Sequence, residues 1–116
     1  MHELSIAMSI VDLAIEQADR AAARSVSEVE LEIGMLSGIE CEALEFSLGV
    51  AAKDTMLERT RFRIKRVEPL AECPGCGHLY VPEGVFSHCP ECQREGIRLI
   101  RGSELLIKSL LVEQNE

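Results

Sequence analysis

Apolar residues near the start of the chain recur at the spacing of one helical face. Between Ser5 and Arg24 they stand at positions three or four apart, namely Ile6, Ile10, Val11, Ala14, Ile15, Ala18 and Ala22. This i, i+3, i+4, i+7 spacing places them on one side of a helix. Ser5 is a residue type that caps helix N-termini, because its side-chain oxygen accepts from a free backbone N–H. The pattern predicts a helix over residues 5–24.

Two later stretches alternate with the period of a β-strand. From Ser27 to Met35, apolar residues alternate with a row of glutamates, Glu28, Glu30 and Glu32. From Thr60 to Val67, they alternate with a row of cations, Arg61, Arg63 and Lys65. Alternation at period two is typical of half-buried strands. We therefore expect two strands whose acidic and basic faces lie side by side.

The remaining apolar stretches predict a second helix and a third strand. Ser37-Gly38-Ile39-Glu40 has the S-x-x-E form of a capping box. Helical spacing follows from Cys41 to about Lys53, although Gly49 weakens the prediction. The stretch 104–113 is rich in Leu, Ile and Val and predicts a strand. The elements therefore run αβαβ and end with a further strand.

Residues 69–102 differ in character from the rest of the chain. They contain all four prolines, five of the eight glycines and four of the five cysteines, with almost no periodic apolar pattern. A segment of this composition cannot build a hydrophobic core of its own. Another interaction must hold it together.

The cysteines of this segment form two C-x-x-C pairs. Cys73-Pro74-Gly75-Cys76 and Cys89-Pro90-Glu91-Cys92 are separated by twelve residues, which is close to the spacing of a zinc ribbon. Two such turns that face each other supply four thiolates to one Zn²⁺, in a closed tetrahedral site that leaves no position for catalysis. A rubredoxin-like iron site and a thioredoxin-like redox pair are the alternatives.

Five further residues have roles that the pattern leaves open or only weakly defines. Gly77 can adopt the positive φ that aims backbone N–H groups at sulfur, whereas Gln93 takes that place in the second turn and should be less ideal. His78 and His88 flank the turns, either as surface residues or as ligands that exchange with a thiolate or bind a second metal. Cys41 stands at an apolar helical position, which favours a buried small hydrophobe over a reactive thiol.

Composition then narrows the classes of function. A chain of 116 residues suits one domain, or one small domain with a subdomain, and excludes a multi-domain enzyme. A formal charge of -8 and an aromatic content of 3% argue against a nucleic-acid partner. No apolar run approaches the roughly 18 residues of a membrane span, and five cysteines disfavour a disulfide scaffold, so we expect a cytoplasmic protein. The sequence contains no catalytic triad motif and no phosphate-binding loop, so we do not expect an enzyme.

The chain opens with Met1-His2-Glu3, and a free amine beside a histidine permits a chelate. The α-amine, the deprotonated His2 amide and the His2 imidazole can close fused rings around one ion in a plane. This geometry suits Ni(II) or Cu(II) better than Zn²⁺. Glu3 could add an oxygen ligand or hold the imidazole in place. A histidine at position 2 is usually chance, so this pattern alone is weak evidence for nickel.

Four stretches of the sequence indicate one protein family more specifically in combination than each does alone. They are Met1-His2-Glu3-Leu4-Ser5, Glu30–Gly34 with Leu36–Glu40, the two C-P-x-C pairs, and Gly102–Ser109. In combination they resemble the HypA/HybF family of hydrogenase maturation factors, and the similarity covers essentially the full length. The departures are Gln93, where a glycine often follows the second cysteine pair, and Cys41, where the motif asks for no cysteine.

The resemblance implies an α+β fold of two helices packed on a three-stranded sheet, with the zinc ribbon inserted before the last strand. A nickel-binding part, residues 1–68 and 103–116, would hold Ni(II) through Met1 and His2, with Glu3 as a neighbouring ligand or support. Residues 69–102 would form a separate domain that holds a structural Zn(II) through Cys73, Cys76, Cys89 and Cys92.

The resemblance also implies a function and partners. Family members are metallochaperones that work with the GTPase HypB and insert nickel into the large subunit of [NiFe]-hydrogenase, and some also serve urease maturation. The alternative is a zinc-ribbon module that docks to protein and uses no second metal.

Overall fold

The computed structural model describes residues 3–114 and contains two helices and two small β-sheets. The elements, in chain order, are α1 (Glu3–Arg20), β1 (Ala23–Gly34), α2 (Cys41–Ala52), β2 (Arg61–Val67), β3 (Leu70–Glu72), β4 (Leu79–Tyr80), β5 (Arg98–Arg101) and β6 (Leu105–Gln114). One sheet has the order β2-β1-β6, and the other has the order β4-β3-β5. The predicted α+β fold with an inserted four-cysteine unit is confirmed.

The first sheet and the two helices share one hydrophobic core. β1 is the central strand, parallel to β2 and antiparallel to β6. Its inward residues Val29, Leu31 and Ile33 are buried against α1 and α2, together with Leu44, Leu48 and Leu57. Because these side chains alternate along β1, the intervening glutamates point to the opposite face of the sheet.

The opposite face of this sheet carries the predicted charge rows in register. Glu28 lies opposite Arg61, Glu30 opposite Arg63, and Glu32 opposite Lys65. Arg63 Nη1 is 3.6 Å from Glu28 Oε2, and Lys108 Nζ from β6 is 3.7 Å from Glu32 Oε1. The expectation that the acidic and basic faces adjoin is therefore confirmed.

The first helix is shifted toward the N-terminus relative to the prediction. α1 begins at Glu3, so the assignment of Ser5 as its N-cap is wrong, and it ends at Arg20 rather than Arg24. Ala22 has a φ of 52° and turns the chain directly into β1 at Ala23. The strand starts earlier than predicted because β6 continues to Gln114 and pairs with Ala23.

The second helix has the predicted extent but a different cap. Glu40, not Ser37, is the N-cap of α2, and its carboxylate accepts from the N–H of Glu42 at 3.2 Å. Ser37 Oγ instead accepts from the N–H of Ile39 at 3.2 Å, within the loop before the helix. The predicted capping box is therefore wrong, whereas Gly49 does not interrupt the helix.

The two chain segments that connect the sheets pass through a tight junction. A Cβ on Gly34 would lie 2.1 Å from the backbone carbonyl of Gly102, and Gly102 itself has a φ of 121° and packs on Pro69. The N–H of Leu36 donates to the Gly102 carbonyl at 2.7 Å, and the N–H of Met35 donates to the Val67 carbonyl at 3.0 Å. The loop after β1 therefore binds both connecting segments. Among residues 3–114, neither helix has the length and apolar character that a membrane span requires.

Candidate metal centre

The second sheet and two turns bring the four predicted cysteines together. Their sulfurs all lie within 4.8 Å of one another, and the pairs Cys73–Cys92 and Cys76–Cys89 are 3.6 Å apart. A tetrahedral Zn²⁺ with bonds of about 2.3 Å requires sulfurs about 3.8 Å apart. The observed spacing and the donor set fit a four-thiolate metal site.

The two cysteine turns repeat the same backbone hydrogen bonds. In the first, the N–H of Gly77 donates to the Cys73 carbonyl at 2.9 Å, and the N–H of Cys73 donates to the His78 carbonyl at 2.9 Å. In the second, the N–H of Gln93 donates to the Cys89 carbonyl at 2.9 Å, and the N–H of Cys89 donates to the carbonyl of residue 94 at 3.0 Å. The turns are therefore formed by local bonding and need no hydrophobic core.

Backbone N–H groups also point at the sulfurs. The N–H groups of Gly75 and Cys76 lie 3.4 and 3.5 Å from Cys73 Sγ, and that of Glu91 lies 3.4 Å from Cys89 Sγ. Such donors favour the thiolate over the thiol. The N–H of Cys76, and less strongly that of Gly75, lower the pKa of Cys73 to about 6 although burial opposes them. The Cys73 thiol is therefore easier to deprotonate than an ordinary cysteine thiol.

The Cys76 sulfur resists ionisation when no cation is near. The N–H of His78 lowers the pKa of Cys76, but the neighbouring sulfurs, Cys89 first, and desolvation outweigh it and raise the pKa to about 12. Burial, and then the adjacent thiolates, raise the pKa of Tyr80. Four thiolates this close repel one another, so full ionisation requires a bound cation.

The residue after each turn adopts the left-handed conformation. Gly77 has a φ of 78°, as predicted, and Gln93 has a φ of 66°. Glycine takes this conformation freely, whereas a residue with a Cβ loses roughly 1–2 kcal/mol. The second turn is therefore the less favourable of the two, as its sequence suggested.

Gln93→Gly should strengthen metal binding by the second turn. Relief of about 1–2 kcal/mol of left-handed strain exceeds the roughly 0.4–1 kcal/mol that glycine adds to the freedom of the unfolded chain. The expected net gain is about 0.5–1 kcal/mol, measured as a higher chelator concentration for half-release of the metal. Gly77→Gln is the matched reverse change and should lower that concentration, since nothing lies within 4 Å of its Cβ position to add a packing effect. A shift of both variants in the same direction would contradict the strain argument.

The two histidines that flank the turns face carboxylates. His78 Nε2 is 4.0 Å from Glu91 Oε1, and its ring stacks on Tyr80 with centroids 6.1 Å apart. His88 Nε2 is 3.3 Å from Glu95 Oε1. Within residues 3–114, the metal-ligating cluster consists of the four cysteines and neither histidine belongs to it.

The N-terminal candidate site is described only from Glu3 onward, because Met1 and His2 lie outside the described residues. Glu3 Oε2 accepts from the N–H of Glu40 at 3.2 Å, so the start of α1 adjoins the start of α2. A carboxylate is stabilised at a helix N-terminus by free N–H groups and the helix dipole. No local sequence pattern connects Glu3 with Glu40, because the two positions are far apart along the chain.

Cys41 is half-buried rather than fully buried. It packs against the core at the first turn of α2. It also lines a shallow pocket of about 170 Å³ beside Met35, Glu40 and Arg66. The predicted packing role fits this contact, and the thiol lies far along the chain from the four clustered cysteines.

Comparisons with known proteins agree with these features. The profile of one family, described as hydrogenase/urease nickel incorporation, metallochaperone, hypA, matches residues 1–112. The hydrogenase maturation factor HypA of Parabacteroides distasonis is 43% identical over 114 residues, which are 98% of this chain and 99% of that protein. The factor of the same name from Geobacter metallireducens is 42% identical over 113 residues, 97% of this chain and all of that protein.

A solved structure has the same fold. The solution structure of the Ni metallochaperone HypA from Helicobacter pylori matches with a TM-score of 0.74 and 21% identity, over 99% of this chain and 100% of that chain. At this identity the similarity shows the fold alone.

Proposed function

The chain belongs to the HypA family of nickel-incorporation metallochaperones, and we propose that it binds Ni(II) at its N-terminus and delivers it for maturation of [NiFe]-hydrogenase. The observation that carries the proposal is the match over residues 1–112, which includes both the Met1-His2-Glu3 start and the four cysteines. In this proposal nickel is the cargo, and the protein is a carrier rather than a catalyst.

The proposed nickel ligands are the Met1 amine and the amide and imidazole of His2, with Glu3 as a ligand or support. Nitrogen donors in a plane suit Ni(II). The hydrogen bond from the Glu40 N–H to Glu3 supports this arrangement, because it fixes the residue that follows the chelate at the junction of the two helices. A site with few protein donors at a chain end can also release its ion to an acceptor.

We propose that the four cysteines hold a structural Zn(II). The sulfur spacing, the N–H donors to Cys73 and Cys89, and the burial of these two residues support a closed four-thiolate site. Bound zinc would offset part of the negative charge of the thiolates and order the surrounding turns. Reduced cysteines of this kind persist in the cytoplasm, where we place the protein.

The two sheets support a division into two units that act on different metals. Residues 1–68 and 103–116 would form the nickel-binding unit, and residues 69–102 the zinc-binding unit. The proposed partners are a HypB-type GTPase and the large subunit of [NiFe]-hydrogenase, with urease maturation as a further client pathway. No nucleic acid and no membrane take part in this proposal.

Adding Gly-Pro before Met1 should abolish nickel binding. A single added residue would leave the amine close enough to chelate Ni(II) with His2 through two deprotonated amides, whereas the proline has no amide N–H to deprotonate, so the fused chelate rings cannot close. Calorimetric titration of zinc-loaded, untagged protein with Ni(II) should give one site, and the extended variant should give none.

A chain with Gly-Pro added after Glu116 is the matched control and should bind as the unmodified protein does. Equal nickel binding by all three proteins would place the nickel site elsewhere. Absence of nickel binding in all three would favour the zinc-ribbon docking module.

A further inference from the structure

The basic residues of this acidic chain are concentrated in and beside one edge strand. Residues 59–66, which include most of β2, hold five of the twelve Lys and Arg residues and no Asp or Glu, although the whole chain has a formal charge of -8. Among the described residues, no strand pairs with the outer edge of β2. An exposed row of cations therefore lies along an unpaired backbone edge.

The adjacent glutamates neutralise little of this row. Among the described acidic residues, only Glu28 forms an ion pair with β2, to Arg63. Glu32 instead pairs with Lys108, and Glu30 accepts from Ser109 Oγ at 3.4 Å, so both face β6. Within residues 3–114, Arg61 and Lys65 have exposed side chains and form no ion pair, which leaves their charge available to a partner.

The two faces of β2 specify the pattern of a strand that could be added to it. Arg61, Arg63 and Lys65 lie on the open face, whereas Phe62 and Ile64 are half-buried on the helix side and pack against the core. An added strand would place alternate residues beside these two sets. It would match best if carboxylates alternated with apolar residues.

β1, which pairs with the inner edge of β2, has this alternation of carboxylates and apolar residues. There β2 pairs in parallel with a strand in which glutamates alternate with Val29, Leu31 and Ile33. We propose that the outer edge of β2 is a docking site for an extended segment of a partner protein in which acidic and apolar residues alternate. The row of like charges also repels a second β2, which disfavours pairing of two copies through this edge.

A peptide with the sequence of residues 25–34 provides a probe of this pattern. Zinc-loaded full-length protein should bind the labelled peptide in a fluorescence anisotropy titration. A matched peptide with lysine in place of its three glutamates should not bind. The double variant Arg61→Glu, Lys65→Glu should bind the acidic peptide about tenfold more weakly or worse, since two attractions become repulsions.

Lys53→Glu is the control variant, because Lys53 is an exposed cation outside β2. It should bind the acidic peptide as the unmodified protein does, and zinc content and circular dichroism should show that all variants are folded. Amide hydrogen exchange of β2 should slow when the peptide is bound. Equal binding of both peptides, loss of binding in Lys53→Glu, or unchanged exchange in β2 would overturn the proposal. Equally tight binding of a poly(dT) oligonucleotide would identify a general anion surface and would also overturn it.

Discussion

A Cys73→Ala variant is expected to lose its zinc and the folded structure of residues 69–102, while the β2-β1-β6 sheet and both helices remain folded. Within residues 69–102, the buried hydrophobic residues are Ala71, Cys73 and Cys89, so hydrophobic packing contributes little to the stability of this segment. Binding of zinc to small four-ligand sites releases roughly 10–16 kcal/mol, which is the main source of order for such a segment. Removal of one thiolate also leaves the metal with three protein ligands and opens the fourth position of the tetrahedral site.

Zinc content by mass spectrometry and an amide NMR spectrum measure the two consequences separately. Signals of 69–102 should collapse to unfolded positions, while those of the β1 and α1 residues should stay in place. Cys41→Ala is the matched control, since it removes a cysteine that packs against the core formed by the helices and the first sheet. It should retain zinc and an unchanged ribbon. Stoichiometric zinc in Cys73→Ala, or loss of the first sheet together with the ribbon, would contradict the expectation.

Two strands of the first sheet, β1 and β2, could be predicted because tertiary structure reinforces their local pattern. In β1, Val29, Leu31 and Ile33 are buried on one face and glutamates lie on the other. The residues that alternate between apolar and polar in the sequence therefore also alternate between buried and less buried in the structure. The ends were predicted less well. β1 gains its first residues from pairing with the distant strand β6, and no local pattern reports a partner that lies so far along the chain.

The short strands of the ribbon were not predicted for a related reason. β3, β4 and β5 are two to four residues long and show no alternation of apolar residues. Their pairing follows from the turns at Cys73 and Cys89, which fix the path of the chain on either side. The metal site could be predicted because each turn is local and its two cysteines are close in sequence. The contact between Glu3 and Glu40 could not be predicted, because it depends on how the two helices pack together.

A His2→Ala variant is expected to lose hydrogenase maturation in cells while its fold and zinc content stay unchanged. The proposed chelate takes its imidazole from His2, and alanine offers no replacement donor. Changes to residues that only support a metal ligand cost about 10–100-fold in affinity, so loss of the ligand itself should cost more than about 100-fold. Hydrogenase activity in a strain that carries the variant as its only copy, grown with limiting nickel, measures the effect.

The matched control is His78→Ala, which removes a histidine that stacks on Tyr80 beside the cysteine turns. It should support hydrogenase activity under limiting nickel, because the proposed nickel chelate does not include it. Millimolar nickel in the medium should restore activity to the His2→Ala strain if the protein acts as a carrier, since high free nickel can load the hydrogenase without one. Full activity of His2→Ala under limiting nickel would show that nickel delivery does not depend on the N-terminal chelate. Failure of added nickel to restore activity would indicate that His2 serves a step other than nickel supply.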